Sequence, residues 1–177
     1  MTISNPEYHK LDVLNEKLGA GSAGRLFEVL RLQRGYTYGA SSAFSSTLET
    51  GYFHAASSVQ GSSTKESVAL FKEIINGFAN DYTQEKLDGV KGAMLRANAS
   101  AFETTSSLVS MLSAIRNYNL PDDFIADEET VVNEMTLEDL KAKAAEYLNT
   151  DNMVIVVVGD AATQLKNLPE AKLIDAI

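Results

Sequence analysis

The sequence predicts an α+β fold in which a mainly antiparallel sheet packs against several helices. Three observations favour this class. Apolar residues recur at helical spacing through much of the chain, residues 36–60 form two Ser-, Thr- and aromatic-rich segments, and residues 154–158 are an uninterrupted β-branched run. With 177 residues and 45% hydrophobic side chains, the chain can bury one sizeable core. We therefore expect a single domain over residues 1–177.

Two helices are predicted before residue 36. Leucines recur at helical spacing between Pro6, which suits a first helical turn, and Gly19. A second helix is predicted from about Ser22 to Gly35, because glycine readily adopts the left-handed conformation that ends helices. This prediction places Arg31 in the last turn of the second helix.

A β-hairpin is predicted between Tyr36 and Gln60. The segments YTYGASSAFSST and GYFHAASSVQ are rich in residues that favour strands, and LETG between them contains a turn-forming glycine. The two segments should therefore pair as antiparallel strands.

Helices should fill most of the chain after the hairpin. A Ser or Thr followed three residues later by an acidic residue is typical of a helix N-terminus, and it occurs at Ser63 and at Thr136. The first is predicted to begin a helix over residues 63–80, and Thr83 can cap the next one. A further helix should precede Pro121, and LEDLKAKAAEYL should form the helix after Thr136.

The run VIVVV at residues 154–158 is predicted to be a strand in the middle of the sheet, because it is short, β-branched and apolar on both faces. The tail AKLIDAI, residues 171–177, is a weaker strand candidate.

Composition excludes several classes of function. The formal charge is −9, with 24 acidic and 15 basic residues and no stripe of Lys or Arg, so nucleic acid is not an expected partner. The absence of cysteine excludes disulfides and thiolate metal sites. No apolar run approaches the roughly 18 residues of a membrane span. We expect a soluble protein without a membrane partner, in the cytoplasm or the periplasm if it is bacterial.

The stretch GAGSAG fits the G-x-G-x-x-G pattern of dinucleotide-binding turns through Gly19, Gly21 and Gly24. That site needs a buried strand leading into the turn, whereas a charged amphipathic helix is predicted here. A flexible turn between two helices is therefore the preferred interpretation, and a nucleotide site is the alternative.

Zinc and serine-hydrolase sites are not predicted. His9 and His54 are the two histidines, and neither has the spacing to a carboxylate that zinc peptidase motifs require. No G-x-S-x-G or S-x-x-K pattern accompanies the many serines.

Arg31 and Tyr38 are seven positions apart across the predicted joint between helix and strand. A guanidinium and a phenol held there could both donate to one carbonyl oxygen. The alternative is a cation at a helix end beside an unrelated core tyrosine.

Residues 7–44 carry an ordered set of short motifs. An Asn and a Leu-Gly precede a glycine-rich loop, and then come Arg-Leu-Phe, an Arg and, seven residues later, a Tyr: Asn15, Leu18, Gly19, Gly21, Arg25, Leu26, Phe27, Arg31 and Tyr38. This order resembles the second homologous domain of the pitrilysin and mitochondrial processing peptidase family of inverted zinc metallopeptidases. The hairpin, the later helices and VIVVVGD are similar to that domain more loosely.

The resemblance implies a substrate-positioning, non-metal-binding half of a zinc peptidase. Arg31 and Tyr38 would contact a backbone carbonyl of an extended peptide substrate, and Gly19, Ala20 and Gly21 would form the substrate-facing loop. No catalytic residue is expected within this chain. Zinc and the catalytic Glu would come from an N-terminal zinc-binding domain or a partner subunit, so the isolated chain should not hydrolyse peptides.

Two further expectations follow from the resemblance. A non-catalytic structural or binding subunit of the same fold is the alternative function, since the sequence contains no metal ligands. The family domain opens with strands that precede the segment resembling residues 7–15, so leading strands are expected to be missing here. An uncovered sheet edge would then favour homo-oligomers.

Overall fold

The computed structural model describes residues 2–5, 7–100 and 102–174, and it is mostly helical with one β-hairpin. Pro6, predicted to lie in a first helical turn, is outside the described residues. The helices and strands are α1 (Tyr8–Leu18), α2 (Arg25–Phe27), β1 (Thr37–Ser46), β2 (Gly51–Val59), α3 (Thr64–Gly77), α4 (Gln84–Ser100), α5 (Thr105–Tyr118), α6 (Phe124–Glu134), α7 (Leu137–Tyr147) and α8 (Ala161–Asn167). The predicted α+β class is confirmed.

Helix α1 lies at the centre of the molecule. It packs against β1, α4, α6 and α7, and its leucines and Val13 are almost completely shielded from solvent. Burial of apolar surface of this kind is the main stabilising contribution to a fold. The core around α1 includes Leu11, Val13, Leu14, Leu18, Leu26, Leu30, Leu87, Val90, Val132, Met135 and Leu140.

Helix α2 continues directly into a π-helical segment, Glu28–Gln33. The amide of Arg34 donates to the carbonyl of Val29 at 3.0 Å, five residues earlier. Gly35, with φ of +65°, then ends the helix as predicted. The helix begins at Arg25 and not near Ser22, because residues Gly21–Ala23 form a separate 3-10 turn.

Strands β1 and β2 pair antiparallel, with Ser46 opposite Gly51 at the turn and Thr37 opposite Val59 at the far end. The predicted hairpin is confirmed. In the part of the chain that the structure describes, no third strand joins this sheet.

The helix-capping predictions had different outcomes. The capping box at Thr136 is confirmed: the Asp139 amide donates to Thr136 Oγ1 at 3.0 Å, and the Thr136 amide donates to Asp139 Oδ2 at 2.9 Å. Thr83 also accepts a bond, at 3.3 Å, from the amide of Lys86. Ser63 precedes α3, but its side chain makes no capping hydrogen bond, so the capping box predicted there is wrong.

The strand predicted at residues 154–158 is wrong. The segment consists of residues that favour strands, but it forms none. Three of its side chains are strongly exposed: Val154 90%, Val156 72% and Val158 95%. A strand requires a hydrogen-bonded neighbour, and no backbone partner for these residues occurs among the described residues. Residues 171–174 of the tail form no strand either, and residues 175–177 lie outside the described residues. None of the helices described is both long enough and apolar enough to cross a membrane.

Candidate functional site

A β-bulge near the start of β1 determines where Tyr38 lies. Thr37 pairs with Val59 and Ala40 pairs with Ser57, so β1 uses one more residue than β2 between these pairs. The extra residue interrupts the alternation of side chains, and both Tyr38 and Gly39 face solvent between the buried Thr37 and Ala40. Bulges commonly redirect side chains in this way. The side chain of Tyr38 is 88% exposed, which excludes the alternative of a core tyrosine.

Thr37 holds the bulge in place with its buried hydroxyl. Thr37 Oγ1 donates to the carbonyl of Ser58 or that of Gly39, at 2.7 and 2.8 Å, and accepts from the Gly39 amide at 3.0 Å. Ser57 Oγ approaches Thr37 Oγ1 at 3.0 Å. Buried polar groups are costly unless paired, so these contacts fix the backbone on both sides of Tyr38.

Arg31 lies in the π-helical segment before the hairpin. A π-helical turn rotates the residues that follow it relative to a regular α-helix, and such turns are frequent at functional sites. Arg31 Nη1 donates to the carbonyl of Thr37 at 3.3 Å, which ties the helix end to the bulged strand. Arg31 is half-buried, so its position is set by the fold as well as by this bond.

The structure brings Arg31 and Tyr38 together. Cζ of Arg31 lies 4.6 Å from the centroid of the Tyr38 ring, a cation–π contact. The guanidinium has five N–H donors, and the one bond to Thr37 leaves the others without a partner among the described residues. The pair therefore presents a charged donor and a phenolic hydroxyl on the same exposed surface.

The glycine loop joins α1 to α2 and lies against β1. Gly19 is buried, Ala20 is half-buried and Gly21 is exposed with φ of +68°. A Cβ on Gly19 would lie 2.4 Å from the backbone nitrogen of Ser42, so only glycine permits this approach. The structure therefore places Gly19 against the strand, whereas Ala20 and Gly21 keep accessible surface. Since a helix and not a strand leads into the loop, the condition for a dinucleotide site is not met.

Asn15 and Ser42 fasten this loop to β1. Asn15 Nδ2 donates to the carbonyl of Ser42 at 2.8 Å, and Ser42 Oγ donates to Asn15 Oδ1 at 2.6 Å. The amide of Ser42 donates to the carbonyl of Gly19 at 3.1 Å. Loop and strand are thus held as one unit, on the same strand that carries Tyr38.

Sequence reasoning missed Thr37 and Ser42 as supports of the site. Both are buried polar residues in β1, and each has several hydrogen-bond partners. Their partners are distant in sequence, so a pattern within β1 alone could not identify them. The signal available was Asn15, which stands at helical spacing among leucines where an apolar residue would be expected.

The described residues do not fit a zinc ion. His9 lies buried in α1 between the rings of Tyr8 and Phe124, and burial lowers its pKa. His54 lies on β2 beside Tyr52. Over residues 2–5, 7–100 and 102–174, no group of three or more His, Cys, Asp or Glu side chains could hold a metal ion.

Several solved structures share this fold. A peptidase M16 inactive domain from Pseudomonas fluorescens superimposes with a TM-score of 0.75 at 26% identity, covering 85% of this chain and 36% of that one. An inactive peptidase domain from Bordetella parapertussis gives 0.68 at 18% identity, covering 86% and 83%. The periplasmic protease PqqL from Escherichia coli gives 0.66 at 19% identity, covering 84% and 16%. The chain thus spans about a third of the Pseudomonas protein.

Among curated proteins, no relative matches this chain. The family model described as "Peptidase M16 inactive domain" matches residues 2–94, which is more than half of the 177 residues. That match covers α1, the glycine loop, Arg31 and the whole hairpin, and it confirms the resemblance found in the sequence. The chain belongs to the peptidase M16 inactive domain family.

Proposed function

We propose that this domain positions an extended peptide for a zinc peptidase and that Arg31 and Tyr38 donate hydrogen bonds to one backbone carbonyl of that peptide. The observation that carries the proposal is the contact of the Arg31 guanidinium with the Tyr38 ring at 4.6 Å, on a tyrosine that is 88% exposed. An exposed aromatic ring that is fixed by a bulge and paired with a cation contributes little to the core. It is well suited to contact a ligand.

Hydrogen bonds hold the backbone around the two proposed donors. The bond from Arg31 to Thr37 and the hydroxyl contacts of Thr37 hold helix end and bulge together before any peptide binds. Donors that need no reorganisation stabilise developing negative charge on a carbonyl oxygen more than mobile donors do. Arg31 would donate a charge-assisted hydrogen bond to this oxygen, and the Tyr38 hydroxyl would donate a neutral hydrogen bond.

The glycine loop is proposed to border the same peptide. Ala20 and Gly21 offer accessible backbone, and Gly19 fixes the loop through its approach to Ser42. A loop without bulky side chains lets a peptide backbone come close.

Zinc chemistry is proposed to belong to a partner domain or subunit. The metal and the general base of peptide hydrolysis are assigned to that partner, because the described residues of this chain contain no group of His, Cys, Asp or Glu side chains that could hold a metal ion. The role of this domain is to bind and orient the peptide and to stabilise charge on its carbonyl oxygen.

A peptide-binding experiment tests this role directly on the 177-residue chain. An extended peptide is titrated against the wild type, Arg31→Ala and Tyr38→Phe, together with an analogue in which one backbone carbonyl is reduced to methylene. We expect each substitution to weaken binding about tenfold, the effect of losing a hydrogen bond to a charged or well-placed donor. The reduced analogue should bind the wild type more weakly than the parent peptide does, and this difference should be smaller in each variant, because each variant keeps only one of the two donors.

Arg34→Ala and Tyr52→Phe are matched controls, because both residues are exposed. Arg34 lies three residues after Arg31, and Tyr52 lies on β2, the strand next to that of Tyr38. If the control variants lost as much peptide affinity as Arg31→Ala and Tyr38→Phe, the assignment of the donor role to Arg31 and Tyr38 would be refuted. In the complete peptidase the same two variants should lower kcat/KM by about 10², the usual cost of one oxyanion donor. Wild-type turnover in both variants would refute the donor role of Arg31 and Tyr38.

A further inference from the structure

Asp12 places a carboxyl group inside the contact between α1 and α6. The residue is partly buried, and its carboxyl makes no hydrogen bond or ion pair with any described residue. Glu16 lies one turn further along the same face of α1, and Glu128 of α6 is close enough to act on Asp12 through its charge. Burying a carboxylate without a cation is costly, and like charges nearby add to that cost. The contact is therefore most favourable while Asp12 is protonated.

The charges that act on Asp12 are negative, and the basic side chains around it are engaged elsewhere. Between α1 and α7, the lysines pair with carboxylates: Lys10 and Lys143 with Glu7, Asp139 and Glu146. Lys91 of α4 donates to the carbonyl of Asn133 at 2.9 Å. The other titratable groups on this side of α1 are the phenols of Tyr8 and Tyr118, and Glu129 beside Glu128. Ionisation of Asp12 is therefore not compensated in the closed contact.

The α5–α6 hairpin, residues 105–134, is attached to the core by few buried side chains. Its two buried residues are Leu120 and Val132, whereas α1 alone contains six. Segments that bury little apolar surface open at a lower free energy than the core unfolds. An unfavourable charge at Asp12 can therefore be exposed to water by movement of this hairpin, without unfolding of the whole domain.

We propose that ionisation of the Asp12 carboxyl releases the α5–α6 hairpin from α1, which makes this hairpin a flap that opens as the pH rises. Burial, and then the charges of Glu128 and Glu16, raise the pKa of Asp12 from 3.8 to about 7. The closed state thus holds the proton more tightly than the open state, and closure is weakened progressively as the pH rises from 3.8 toward 7.

His9 acts on the same contact in the opposite direction. It lies against Phe124 of α6, and burial lowers its pKa from 6.5, with Asp127 opposing that shift. Protonation of His9 therefore disfavours closure below pH 6.5 and offsets part of the effect of Asp12 there. Comparing variants at one pH removes this contribution, because His9 is the same in each.

Thiol labelling measures the opening, since the chain contains no cysteine of its own. Val132→Cys places a thiol beneath the hairpin, and Val29→Cys places one in the core away from α6. At pH 8 a soluble thiol reagent should label Val132→Cys at least about tenfold faster than Val29→Cys, because the hairpin opens more often than the domain unfolds. Equal labelling rates would overturn the proposal.

Substitution of Asp12 tests the cause of the opening. Asp12→Asn should slow the labelling of Val132→Cys by about tenfold at pH 5 and by about a hundredfold or more at pH 8, since each pKa unit corresponds to a factor of about ten. Asp88→Asn is the matched control, because Asp88 is exposed on α4, and it should leave labelling unchanged at both pH values. An Asp12→Asn effect that is the same at both pH values, or that Asp88→Asn reproduces, would overturn the proposal.

Hydrogen exchange provides a second measurement that needs no introduced thiol. At pH 8 the amides of α6 should be at least about tenfold more protected in Asp12→Asn than in the wild type. They should also be less protected than those of α1 in the wild type. Equal protection of α6 in the two proteins, or equal protection of α1 and α6 in the wild type, would show that Asp12 does not control a flap.

Discussion

Replacing Gly19 with alanine should destabilise the fold by forcing the glycine loop away from β1. The backbone of Gly19 has φ of −156° and ψ of 15°, so the position does not need glycine for a positive φ. The obstacle is steric. The added Cβ would lie 2.2 Å from Ser42 Oγ and 2.4 Å from the Ser42 backbone nitrogen. A side chain could rotate away, but the strand backbone cannot move without losing its bonds.

The loss of stability in Gly19→Ala can be estimated from the packing and the hydrogen bonds that the added Cβ would disturb. Forcing an extra carbon into a packed site costs about 1–3 kcal/mol. Separation of loop and strand would also weaken two hydrogen-bonded contacts. One is the hydrogen bond of 3.1 Å from the Ser42 amide to the Gly19 carbonyl, and the other is the hydrogen bonding between Asn15 and Ser42. Each such bond contributes about 1 kcal/mol. We expect a loss of about 2–4 kcal/mol, or a Tm lower by roughly 5–15 °C for a chain of this size.

Urea and thermal unfolding of Gly19→Ala, with Gly89→Ala as the control, measure this loss. Gly89 lies inside α4, and nothing lies within 4 Å of a Cβ built there. Gly89→Ala should therefore stabilise the protein by about 0.5–1 kcal/mol. Adding Ser42→Gly to Gly19→Ala removes the hydroxyl but not the backbone nitrogen, so it should not restore stability. A Gly19→Ala protein as stable as the wild type, or full rescue by Ser42→Gly, would refute the steric argument.

Two further predictions concern pH and helix capping. Burial, followed by the charges of Glu128 and Glu16, raises the pKa of Asp12 from 3.8 to about 7. The pKa of Asp12 is higher in the folded than in the unfolded state. The carboxyl therefore does not reduce the free energy of unfolding below pH 3.8, where it is protonated in both states, and it reduces that free energy progressively as the pH rises toward 7. Asp12→Asn should therefore be more stable than the wild type at pH 8, by on the order of 2–4 kcal/mol, and nearly equal at pH 4. If urea unfolding gave the same stability difference between Asp12→Asn and the wild type at pH 4 and at pH 8, this prediction would be wrong. Thr136→Ala should cost about 1 kcal/mol by removing the acceptor of the capping box, whereas the exposed Thr130→Ala within α6 should cost much less. Similar unfolding midpoints for these two variants would show that the cap contributes nothing.

Local patterns in the sequence were sufficient for most helices and for the hairpin. Leucine spacing identified α1, Gly35 identified the end of the second helix, and Thr136 with Asp139 identified the start of α7. These signals work because the partners lie within one or two turns of each other. Ser63 had the same spacing to Glu66 without forming the bond, so spacing alone does not fix a cap.

The prediction at residues 154–158 failed because strand formation is not local. Val and Ile favour extended backbone, and the segment does alternate in exposure as a strand would. Pairing depends on a second strand, and the composition of VIVVV says nothing about which residues provide it. The β-branched composition therefore could not predict whether the segment joins the sheet.

The exposure of Tyr38 depends on a backbone irregularity that no composition pattern reveals. Ala40, Ser42 and Phe44 face the core, so strict alternation backward along β1 would bury Tyr38 on the same face. That is the core tyrosine of the alternative interpretation. One extra residue between Thr37 and Ala40 reverses the direction and turns the ring toward Arg31. The buried hydroxyl of Thr37 stabilises that reversal, which makes it the positioning residue on which the proposed carbonyl contact depends.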